Sequence, residues 1–152
     1  MNYAAVRTRY LDDTVATASP SQLLTMLYDR LVLDLRRAET HQRSGDRGAA
    51  GTHLTHAQDI VGELASTLDV AAWDGAKQLM SVYTYLLTEL VGANVAGDAE
   101  RTAACRALVE PLRDAWHEAA AQLAGTSTLE PAGSVSPLTG SGPRAVGDLG
   151  VG

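Results

Sequence analysis

A chain of 152 residues with a formal charge of −6 falls in the size range of one domain and can bury a core without disulfides or metals. The acidic balance excludes a nucleic-acid or anionic-membrane partner that needs clustered Lys and Arg, since the single lysine, Lys77, stands apart from other basic residues. The one thiol, Cys105, cannot form an internal bridge and reads as a small core hydrophobe; no apolar run reaches a membrane-spanning length and no secretory leader pattern opens the chain, so the expected setting is the cytosol, with no membrane insertion.

The first predicted helix runs from about Pro20 to Gln42, and its start is fully specified. Ser19 is a favourable N-cap, Pro20 occupies the first position where a missing N–H costs nothing, and Gln22 completes a capping box. Ala18 and Leu23 stand in the places of a hydrophobic staple. Leu24, Leu27, Leu31, Leu35 and Ala38 recur at steps of three and four, and Leu23, Met26, Val32 and Leu33 widen the stripe, so burial on more than one side is expected.

Ser44, Gly45 and Asp46 form the next turn. Ala50, Leu54, Ala57, Val61, Leu64 and Leu68 then mark a second amphipathic helix. A third, starting near Ala72, carries Ala76, Leu79, Tyr83, Leu86, Leu90 and Ala93 and should stop at 94–97 with a left-handed residue. Asp98 can cap a fourth, whose stripe is Cys105, Leu108, Leu112, Ala115 and Ala119, with Val109, Trp116 and Leu123 beside it and a stop at Gly125. Pro111 lies inside that helix and should kink or split it near 107–110, at roughly 3 kcal/mol.

Short connections between four helices favour antiparallel neighbours, so the fold class is all-α: an antiparallel up-down four-helix bundle over residues 17–125. A short N-terminal helical or extended segment, 1–16, precedes it as a mobile piece with Tyr3, Val6 and Tyr10 on one face. Residues 126–152 hold three of the five prolines, many Gly and Ser and no aromatics, the composition of a disordered tail.

Catalysis finds no support in the residues. No nucleophile-histidine-carboxylate order or paired-carboxylate signature can be assembled, so no enzyme, cofactor or metal is expected. His53 and His56, three apart, lack the further ligands a zinc site requires, and as phosphotransfer histidines they lack a nearby lysine. A surplus of apolar surface instead suggests a groove for an amphipathic partner helix.

Three blocks add a resemblance: Thr17-Ala18-Ser19-Pro20 with Leu23 and Met26-Leu27-Tyr28-Asp29; Tyr83-Thr84-Tyr85-Leu86 with Leu90 and Ala93-Asn94; and Arg113-Asp114-Ala115-Trp116. In this order, over Tyr10 to Trp116, the chain resembles the FliS family of flagellar export chaperones. Ala57-Gln58-Asp59-Ile60-Val61 is similar too, whereas Ala71-Ala72-Trp73-Asp74-Gly75 departs from the Gly-Gly-Glu type of entry to the third helix.

The resemblance implies a cytoplasmic chaperone without turnover that binds the disordered C-terminal segment of flagellin, prevents its early polymerisation and assists its type III export through the flagellar export apparatus. By match to the family blocks, Met26, Tyr28, Tyr83, Tyr85, Leu86 and Asn94 are assigned to or beneath the partner surface, with Tyr10 and Val15 in a movable lid; Leu27 and Leu31 are assigned to packing. Two rival readings stand beside it: a histidine phosphotransfer-type module, and a helical-bundle adaptor that self-associates, as a weak homodimer, through the same groove.

Overall fold

The computed structural model describes the backbone of residues 19–150 and the side chains of residues 19–125. These contain four helices, α1 Pro20–Arg43, α2 Arg47–Thr67, α3 Ala76–Ala96 and α4 Ala99–Gly150, and no strand. Tyr10, Val15, the rest of the 1–16 segment and the Ala18 half of the staple lie outside the described residues.

Each boundary has a local cause. The Ser19 hydroxyl accepts from the Gln22 N–H at 3.2 Å while the Gln22 carboxamide accepts from the Ser19 N–H at 2.8 Å, closing the capping box that starts α1. Gly45, at φ +81°, turns the chain, and Asp46 caps α2 through the Ala49 N–H. α3 ends on Gly97 at φ +65°, after which the Asp98 carboxylate receives the N–H groups of Glu100 and Arg101. Asp69 opens the α2–α3 connection, so α3 begins at Ala76 rather than Ala72.

The chain divides into two units, one ending at Trp116 and one starting at His117. In the first, α1 packs on α2, α2 on α3, and α4 joins α1 and α3 through ion pairs. The core follows the expected stripes of α2 and α3 residue by residue, from Ala50 to Leu64 and from Ala76 to Ala93. α1 contributes Tyr28, Leu31, Val32, Leu35 and Ala38.

α4 differs from expectation in two respects, its buried stripe and its end, and Pro111 leaves it continuous. Its buried side chains are Thr102, Cys105 and Val109, continued by Leu112 and Trp116 against the core, while Leu108, Ala115 and Ala119 sit on an exposed flank. Pro111 does not split the helix: it is exposed, as is Ala107, so the carbonyl that loses its donor faces solvent. Gly125 does not end it either. It takes no left-handed φ, unlike Gly45 and Gly97, and α4 continues to Gly150, its residues from His117 onward belonging to the second unit.

Candidate partner-binding face

The interior and the outward side of α3 place the sequence-assigned residues in different settings. Tyr28, Tyr83 and Leu86 are buried; the hydroxyls of Tyr28 and Tyr83 meet at 2.5 Å across the core, and the Trp116 ring tilts against Tyr28 at 6.3 Å between centroids. Burial pushes the Tyr28 phenol up, and burial with the Tyr28 hydrogen bond pushes Tyr83 further still, so both stay neutral. These three residues are therefore interior and do not face solvent. The cause is register: they continue the a/d-like stripe that the bundle itself consumes.

Asn94 is half-buried, and its carboxamide oxygen lies 3.4 Å from where a side chain on Gly51 would begin, so it is directed toward α2. Met26 is half-buried on α1. Tyr85 alone among the described assignments is well exposed, at 53%.

Around Tyr85 the structure shows what the sequence reading passed over. Val91 and Val95, 49% and 76% exposed, share the outward side of α3 with Ser81, Thr84 and Thr88. From Gln78 to Gly97 the only formally charged side chain is Glu89, and Arg101 of α4 engages it through two hydrogen bonds of 3.1 and 3.2 Å. The Arg101 guanidinium lies against Gly92, where a Cβ would come within 2.3 Å of it. A shallow depression lined by Met80, Ser81, Thr84, Tyr85, Thr88 and Glu89 marks the start of this face. Beyond Lys77 in its first turn, this side of α3 faces solvent with its remaining charge, Glu89, paired within the molecule. The absence of charge over these residues is the sequence signal that would have found it.

The two histidines turn out to serve α1. Asp34 is fully buried and receives Arg30 at 3.3 Å, His53 at 3.2 Å and, in a short contact, His56. His41 stacks on the His53 ring at 5.6 Å. Both Nδ1 atoms of the mostly covered His53 and His56 are thus engaged by one carboxylate. Among the described residues no group of three or more His, Cys, Asp or Glu could hold a metal, and no helix is long and apolar enough to cross a membrane. The Cys105 thiol, pushed up to about 11 by burial, is a poor nucleophile at neutral pH.

Residues 2–123 match the family described as Flagellar protein FliS. The chain belongs to the FliS family. It is 31% identical over 110 residues to the flagellar secretion chaperone FliS of Escherichia coli strain K12, covering 71% of this chain and 81% of the relative. To the flagellar secretion chaperone FliS of Bacillus subtilis strain 168 it is 33% identical over 116 residues, covering 74% and 84%. A crystal structure of a flagellar chaperone from bacteria shares the fold, with a TM-score of 0.63 and 16% identity over 80% of this chain and 99% of the other. The all-α bundle expected from periodicity is thus the fold of this FliS-family protein.

Proposed function

We propose that this FliS-family protein binds the C-terminal segment of flagellin in the cytoplasm, keeps it from polymerising and hands it to the flagellar type III export apparatus, with no catalytic step. The observation that carries the reading is the uncharged outward side of α3, bearing Tyr85, Val91 and Val95. Family membership supports the choice of partner, because the relatives are flagellar secretion chaperones.

A segment that is disordered when free can fold its apolar side onto such a face, losing about 2 to 5 kcal/mol to ordering and so remaining releasable. In this reading Tyr28, Tyr83 and Leu86 support the face from the interior, Met26 and Asn94 belong to the partner-binding set by match to the family blocks, and Tyr10 and Val15 act as a lid whose removal frees the face. Titration calorimetry of the flagellin C-terminal peptide into the full chain tests this. A one-to-one complex with a strongly negative heat-capacity change is expected, tightened by deletion of residues 1–16. Failure of flagellin and this protein to co-elute rejects the proposal.

A further inference from the structure

The α2–α3 connection carries exposed apolar side chains that neither the core nor the α3 face uses. Trp73 is 49% exposed and Val70 40%. The connection is nonetheless well held: the Asp69 carboxylate accepts the Ala71 N–H at 2.9 Å, its carbonyl accepts the Ala72 N–H at 3.1 Å, and the Trp73 carbonyl accepts the Ala76 N–H at 3.1 Å. A loop fixed by its own hydrogen bonds presents its side chains at little further entropic cost.

Gly75 explains how the indole is seated. Its φ of −82° is open to any residue, so the backbone does not call for glycine. A Cβ there, however, would stand 2.0 Å from Cζ3 of Trp73, so the ring lies against the bare backbone and shows its other side to solvent. The connection itself is acidic. Between residues 68 and 75 it has Asp69 and Asp74 and no basic side chain.

We infer that this loop is a second docking surface, for a partner segment that sets an Arg or Lys beside an apolar side chain. The cation would lie between the Asp74 carboxylate and the Trp73 ring face, and the apolar neighbour would cover Val70. A cation over an indole is the favoured aromatic pairing, and Trp is the residue type most often found anchoring interfaces. The chain's own charge of −6 makes a second copy the wrong occupant. The surface is separate from the α3 face, so a chain carrying V91D and V95D keeps it.

The test uses the full chain labelled with 5-fluorotryptophan, whose two resonances, from Trp73 and Trp116, are assigned with W73F. The probes are an acetylated, amidated helical peptide with Leu and Arg four residues apart, and its counterpart with Glu in place of Arg. The Arg peptide is expected to move the Trp73 resonance and leave Trp116 in place, the Glu peptide to do neither, and D74K to weaken the response at least about tenfold. G75A, which displaces the ring without straining the backbone, weakens it as well. Equal responses to both peptides, movement of Trp116 alongside Trp73, indifference to D74K, or a Trp73 shift that follows protein concentration alone would each overturn the inference.

Discussion

Two outward sides of the bundle handle charge in opposite ways. Where α1 meets α4, Arg36 pairs with Glu110 at 2.6 Å, Arg106 bridges Glu39 and Glu110, and Arg43 reaches both Glu39 and Glu100. On α3 the charged pair Glu89 with Arg101 lies at the α4 edge, and beyond Lys77 and Gln78 in its first turn the exposed side chains are Ser, Thr, Tyr, Val and Ala. One side satisfies its polar groups within the molecule and needs nothing from outside. The other leaves apolar area in water at about 25 cal/mol per Å² and recovers that cost when something covers it. The difference separates a surface that closes the fold from the one to which the proposed function assigns a partner.

The comparison can be broken most forcefully from behind. Leu31→Ala removes packing shared by both sides and should cost roughly 2 to 5 kcal/mol in urea unfolding, with affinity for the flagellin segment falling only as the folded fraction falls. A Leu31→Ala protein that stays fully stable but loses its partner would place Leu31 on the docking side.

Putting charge on α3 sharpens the contrast. Val91→Asp with Val95→Asp should leave the unfolding midpoint within about 0.5 kcal/mol of the parent while weakening the flagellin segment by roughly 2 kcal/mol or more, near thirtyfold, in calorimetry. An unaffected binding isotherm would remove the outward side of α3 from the proposal.

The smallest effect belongs to the ion-paired side. Burial alone would raise Glu39, but hydrogen bonds from Arg43 and Arg106 outweigh it and hold the carboxyl below its ordinary value; Glu110 is lowered chiefly by the hydrogen bond from Arg36. Groups depressed in the folded state stabilise it above the unfolded pKa of about 4.3, and that contribution disappears as pH falls through their folded values. Arg36→Ala should therefore cost under about 1 kcal/mol at pH 7, less in high salt, and nothing in acid once both carboxyls are protonated. Denaturant midpoints at pH 7 and pH 3 measure the difference, and equal losses at both would show that the Arg36 stem, not its charge, matters.

How much of this was legible beforehand varied with how local the cause is. The start of α1 and the stops at Gly45 and Gly97 are written in two or three adjacent residues, and periodicity alone phased α2 and α3. On α4, Leu108 and Val109 are neighbouring apolar residues, and only the placement of α1 and α3 decides which one turns inward. Asp34 reads as an interruption of an apolar run until α2 brings His53 and His56 across to it, and no spacing within α1 announces those partners. At the candidate site the family blocks named Tyr83, Tyr85 and Leu86 on α3, and of these Tyr83 and Leu86 lie on its inner side. The outer side was visible only as missing charge, a pattern defined by residues that are not there.

The hydroxyl contact between Tyr28 and Tyr83 has a wider meaning in a chain with five tyrosines, two tryptophans and no phenylalanine. Hydrocarbon rings tolerate sliding and rotation, because dispersion hardly distinguishes one snug arrangement from the next. Here Tyr28 and Tyr83 each bring a hydroxyl into the interior, and the two satisfy one another, so a misaligned pairing of α1 with α3 would strand both in a dry setting. Aromatic bulk in this molecule thereby doubles as an alignment key, selecting one rotational setting of two diagonal rods from the many that grease alone would accept.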